Sequence, residues 1–202
     1  SNIKQLFSRP APWAIAFFSA CVYFSIEFLS ENDGKIFLSL KGHSTHFASY
    51  NLTIAWLGYA IGCPLLGFLS DYFERRRSIM LTSAMMAIVV MTGIVFGTNP
   101  YLLVASFFFL GIAASGQSIG FAMMADQFKA SYLAIGLALN NAIITIVASI
   151  NAPAIGFIVD SIKTTKMPSL VDYQTAFYFL IGIAVIAFLI AFLFIKETFC
   201  KS

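Results

Sequence analysis

Six long apolar stretches dominate the chain, at residues 11–31, 47–70, 78–97, 100–124, 131–159 and 173–195, each parted from the next by a short polar segment. A bilayer core takes roughly 20 apolar helical residues per crossing, and every stretch reaches that length. They predict an all-α membrane protein with six transmembrane helices. Residues 1–10 read as a polar leader and residues 196–202 as a polar tail. The connections are too short to fold alone, which leaves no soluble domain and excludes a nucleic-acid module.

Composition agrees: 59% of the 202 residues are hydrophobic and 10% are charged, so lipid is the expected solvent. The few charges set an orientation. Lys4, Arg9, Arg75, Arg76, Arg77, Lys129, Lys196 and Lys201 fall on one side, and Lys35, Lys41, Lys163 and Lys166 on the other. The excess places the first set, with both termini, in the cytoplasm. A signal peptide does not fit the start, because SNIKQLFSRP is polar and the apolar run after it is span-length with no small-residue cleavage site. The opening Ser-Asn, without an initiator Met, reads as a cloning remnant, so further sequence is expected upstream. Cys21, Cys63 and Cys200 have neither disulfide nor metal-site spacing and read as structural.

An internal repeat organises the spans. Pro64, Gly67, Phe68 and Asp71, at the end of the second span, recur 89 residues on as Pro153, Gly156, Phe157 and Asp160, at the end of the fifth. The same offset carries Asn51 onto Asn140. Three helices separate the copies, so they lie inverted in the membrane, which predicts two inverted three-helix repeats.

Residues at the second turn carry a resemblance. Gly67-Phe-Leu-Ser-Asp71-Tyr-Phe-Glu-Arg75-Arg76-Arg77 is similar to the signature between the second and third helices of a major facilitator half: a Gly, an Asp four residues on, then basic residues. The chain departs from it at Tyr72, where a basic residue is usual, and at Glu74, where Gly is usual. Trp56 to Asp71 also resembles the eighth helix of bacterial members, and Lys196-Glu197-Thr198 resembles their common ending. The resemblance implies the C-terminal half of a major facilitator transporter, with a six-helix N-terminal half as partner. It implies a secondary active transporter in the bacterial inner membrane. Such a protein moves a small polar solute, such as an amino acid or similar nutrient, by alternating access with proton coupling. No cofactor or ATP is expected. Gly67, Asp71, Arg75 and Arg76 would then form a cytoplasmic gating element, with Asp71 engaging a helix terminus or Arg75.

Polar residues inside lipid-spanning helices are costly, so their positions report what each helix faces. Ser19, Tyr23, Glu27 and Glu31 step by four along the first span and form one stripe. The second span carries Tyr50, Asn51, Thr53 and Tyr59; the fourth Ser115, Gln117 and Ser118; the fifth Asn140, Asn141, Thr145, Ser149 and Asn151. The third and sixth are poorer. This is the division expected when the first two helices of each repeat line a cavity and the third supports them. Glu27 reads as a proton carrier or a counter-charge to substrate, against a residue near the outer end that reaches water. Asn140 and Asn151, three turns apart on one face, could read a polar substrate or hydrogen-bond between helices. Tyr23, Asn51, Gln117 and Asn141 complete the expected substrate-binding or coupling set.

Gly58/Gly62, Gly93/Gly97 and Gly116/Gly120 have small-xxx-small spacing and read as packing, and Pro64 and Pro153 as matching kinks. Gly116-Gln-Ser-Ile-Gly120 matches a nucleophile elbow by letter, but that turn joins a strand to a helix and this Ser lies inside an apolar helix. A rhomboid-type serine protease needs a helical His, whereas His43 and His46 fall in the first external loop. No metal-ligand spacing or phosphate-cradling loop appears, and enzymatic chemistry is not expected. The alternatives are a six-span half-size module acting as a homodimer, and a drug or metabolite exporter.

Overall fold

The computed structural model describes residues 8–197. Lys4, Thr198, Cys200 and Lys201 lie outside the described residues. Helix α1 (Pro10–Glu31) begins on a proline, whose missing N–H costs nothing in a first turn. A short α2 (Gly34–Leu40) follows in the connection and had no distinct signal in the sequence. Helix α3 (Thr45–Phe73) starts where the Ser44 hydroxyl accepts the Phe47 N–H at 3.2 Å, and it runs through Pro64 without interruption. Helix α4 (Arg76–Phe96) follows a tight turn. The fourth span is divided: α5 (Pro100–Ala114) gives way at Ser115 to α6 (Gly116–Gln127). A 3-10 turn at Ala130–Tyr132 leads into α7 (Leu133–Ile162), which contains Pro153. Helix α8 (Leu170–Leu193) starts on a reciprocal cap between Ser169 and Asp172.

Six of these helical segments, counting α5 and α6 as one and α7 with its leading turn, are long and apolar enough to cross a membrane. The chain is therefore an all-helical membrane protein. The second span reaches Phe73, three residues past its apolar stretch, because caps and turns set helix ends while hydropathy sets only the part in hydrocarbon.

The spans differ sharply in how much they bury. The first and fourth are each 67% buried along their apolar windows, whereas α3 and α7 are 28% and 22% buried. Helix α1 sits at the centre, sealing Phe18, Phe24 and Phe28 among α5, α6, α7 and α8. Helix α3 packs chiefly on α5, and α7 chiefly on α1; among the described residues α3 and α7 do not touch. They flank the bundle. Their outward stripes correspond at the repeat offset: Leu57, Ile61 and Phe68 on α3 and Ile146, Ile150 and Phe157 on α7 are all exposed.

Glycine sets the closest helix approach. A Cβ on Gly111 would collide with the Ala55 carbonyl oxygen, and one on Gly58 would collide with that of Phe108. Helices α3 and α5 therefore meet backbone to backbone. Gly62, Gly93, Gly116 and Gly120 face Ser115, Ser106, Ser83 and Ser19 across interfaces, which is the packing role their spacing predicts.

Candidate functional site

The stripe on α1 divides into a closed part and an open part. Ser19 is fully buried, and its hydroxyl donates to the Ile15 carbonyl at 3.0 Å, within its own helix. One turn on, Tyr23 is half-buried and meets two rings of α3 edge-on: Trp56 at 6.3 Å and Tyr59 at 5.8 Å between centroids. Trp56 and Tyr59 are themselves 5.7 Å apart. Their spacing of three residues puts them on one face of α3, while Gly58 between them turns toward α5. The Tyr59 hydroxyl donates to Gln117 Oε1 at 2.7 Å, which ties α6 into the cluster two residues past the break at Ser115. Tyr23 and Gln117 are thus brought together. Tyr59, which joins them, is one of the polar residues of the second span, whereas Trp56 stood out in the sequence only as part of the family resemblance.

Glu27 is one turn beyond Tyr23 and opens onto a cavity of about 260 Å³ between α1 and α7. Glu31, Asn32, Thr145 and Ser149 share its lining. Glu27 Oε2 is enclosed with no hydrogen-bond partner among the described residues. The Thr145 hydroxyl is spent on the Asn141 carbonyl at 3.1 Å, within α7.

The amides disperse. Asn51 and Asn140 are both fully buried. Asn51 Nδ2 donates to the Phe47 carbonyl at 2.8 Å, and its Oδ1 and both polar atoms of Asn140 find no partner among the described residues. Asn141 is exposed and Asn151 half-buried. None of the four lines the cavity beside Glu27.

At the Arg75–Arg77 end, Gly67, Ser70, Asp71, Arg76 and Ser118 line a cavity of about 280 Å³. Arg76 Nε pairs with Asp126 Oδ2 at 3.0 Å, joining α4 to the end of α6. Arg77 reaches the other way: Nη2 donates to the Phe192 carbonyl at 2.6 Å and Nε to that of Ala191 at 3.2 Å, at the C-terminus of α8. Glu197 Oε1 accepts the Arg77 backbone N–H at 2.9 Å, a carboxylate at a helix N-terminus. Asp126 and Glu197 had not been singled out for these roles. At the opposite end, Lys41 Nζ donates to the carbonyls of Ile94 and Gly97 at 2.5 and 2.6 Å, where α4 finishes. Burial there pushes its ammonium down to about 8; at the other end of α2, burial pushes the Asp33 carboxyl up. Among the described residues, no cluster of His, Cys, Asp and Glu could hold a metal.

A family model described as Major Facilitator Superfamily matches residues 17–199. No curated protein matches the chain.

Proposed function

The chain belongs to the major facilitator superfamily, and on that premise we propose that it forms one six-helix half of a secondary transporter that moves a small polar solute by proton-coupled alternating access. The observation that carries the reading is Glu27, a carboxyl group inside a span one turn before its end, open to a cavity between α1 and α7, with one oxygen that has no partner among the described residues. A carboxylate so placed can hold a proton in one state and release it in another, which is what coupling requires.

Helix packing supports an inverted three-plus-three arrangement. Exchanging the first three spans for the last three maps the contact of α1 with α7 onto that of α3 with α5, and the contact of α1 with α8 onto that of α4 with the fourth span. The basic excess around Arg75–Arg77 favours a cytoplasmic location for that end and for both termini, in a bacterial inner membrane. A covering bundle, either an N-terminal half or a second copy of this chain, would lie against the exposed flanks of α3 and α7. Import of a nutrient by symport is the reading adopted; export of a drug or metabolite uses the same machinery in reverse.

Proteoliposomes holding the full-length protein separate the roles of Glu27. With a coupling role, Glu27→Gln abolishes gradient-driven accumulation and leaves exchange of internal for external solute largely intact. Wild-type accumulation by the variant overturns the coupling role, and uptake that requires ATP and ignores ion gradients overturns the transporter class.

A further inference from the structure

We infer that Tyr23, Trp56 and Tyr59, with Glu27 above them and Gln117 beside them, form a subsite for the cationic nitrogen of an alkylammonium solute. The inference rests on the transport reading and adds the charge and shape of what is carried.

Three observations converge on it. Two helices bring three aromatic rings to the same depth, with centroids 5.7 to 6.3 Å apart and edge-to-face angles, and all three side chains are half-buried. Ring faces carry negative potential and attract ammonium groups within about 6 Å, most strongly where water is excluded. Glu27 lies one turn from Tyr23 on the same stripe, and its Oε2 has no hydrogen-bond partner among the described residues, so a carboxyl group stands one turn from the rings to meet a cation. The Tyr59 hydroxyl is committed to Gln117 at 2.7 Å, which fixes the Tyr59 ring against rotation.

The other charge classes fit this wall poorly. An anion would need a cation, and no Lys or Arg falls within the six apolar stretches. Arg76, Arg77 and Lys41 are engaged at helix ends. A neutral polyol would need several free amides and hydroxyls, yet Asn51 and Asn140 are closed into helix interfaces and the Thr145 hydroxyl is spent within α7. Beside the three rings the charged group is the Glu27 carboxyl, and aromatic faces with a carboxyl are the combination that recognises an alkylammonium group.

Calorimetry of the full-length protein in lipid nanodiscs tests this with three probes: tetramethylammonium, choline and the neutral choline isostere 3,3-dimethylbutan-1-ol. The ammonium ions should bind at least about tenfold more tightly than the isostere. Tyr23→Leu and Trp56→Leu should each weaken the ammonium ions by about tenfold, whereas Tyr23→Phe and Trp56→Phe, which keep a ring, should stay within about threefold. Equal binding of choline and its isostere, equal losses in the Phe and Leu variants, or no binding of either ammonium ion overturns the inference. Parallel proteoliposome uptake of choline, alanine, succinate and glucose under an imposed pH gradient separates the two readings. Accumulation of succinate or glucose by a protein that binds no ammonium ion removes the subsite and keeps the transporter. Ring-dependent ammonium binding with no accumulation of any solute does the reverse.

Discussion

At the scale of single residues, the departure from the signature at Glu74 has a visible physical cost. Glu74 ends α3 with φ 54°, and among the described residues no other non-glycine has positive φ. The turn closes with the Glu74 N–H on the Asp71 carbonyl at 3.3 Å and the Arg75 N–H on the Ser70 carbonyl at 3.2 Å, a helix ending that usually takes glycine. A side chain there costs about 1–2 kcal/mol, and glycine returns roughly 0.5–1 kcal/mol of that as added freedom of the unfolded chain. Glu74→Gly should therefore stabilise the protein by about 0.5–1 kcal/mol, read as a higher melting temperature in detergent; a lower one would mean that the carboxylate makes a contact worth more than the strain. Single residues were unevenly legible in sequence. Tyr23 and Glu27 declared themselves, because a polar stripe in an apolar helix has few explanations. Asn51 and Asn140 were equally visible as polar, but composition does not tell whether an amide faces a cavity or a neighbouring helix, and both turned out to be enclosed.

At the scale of elements, six spans were legible because hydrocarbon thickness imposes a length that the apolar runs reproduce. The division of the fourth span at Ser115 was not, since a single turn residue leaves the hydropathy of a span unchanged. Nor was the linkage at the Arg75–Arg77 end, where three helix termini meet through side chains far apart in sequence. Arg76 ties α4 to Asp126 on α6, Arg77 ties it to the last carbonyls of α8, and Glu197 returns from beyond α8 to the start of α4. Such a junction has to rearrange if the spans tilt against one another, and Asp71 lines the cavity beside it. With a gating role for this signature, Asp71→Asn slows turnover several-fold while changing solute affinity little, because the carboxylate biases one conformation and does not touch solute. Unchanged turnover in a vesicle assay, or a loss of affinity matching the loss of rate, would remove Asp71 from the gate.

At the scale of the whole molecule, burial is distributed as though one side were unfinished. The first and fourth spans are enclosed, while the two flanks carry matching exposed stripes 89 residues apart, Leu57 with Ile146, Ile61 with Ile150 and Phe68 with Phe157. Lipid alone can cover apolar stripes, so their exposure does not by itself demand protein. The ring cluster and Glu27 are different, because half-buried polar groups at the edge of acyl chains are costly and a facing bundle with a water-filled cavity between removes that cost. A second six-helix unit, whether an N-terminal half or another copy, should then lie against α3 and α7 and leave the outer face of α4 to lipid. Cysteines placed singly at Ile61, Ile150 and Val89, in a background with Cys21, Cys63 and Cys200 replaced by Ser, distinguish these faces. Val89 on α4 is as exposed as Ile150, at 62% against 65%, so exposure alone predicts equal reaction. Short bifunctional cross-linkers applied to native membranes should join Ile61→Cys and Ile150→Cys to a neighbouring bundle and leave Val89→Cys unjoined. An adduct of twice the chain mass would identify a second copy, and an adduct to a distinct six-helix segment would identify the other half. Equal cross-linking at all three positions, or none at any, would mean that the flanks of α3 and α7 face lipid and that this bundle works uncovered.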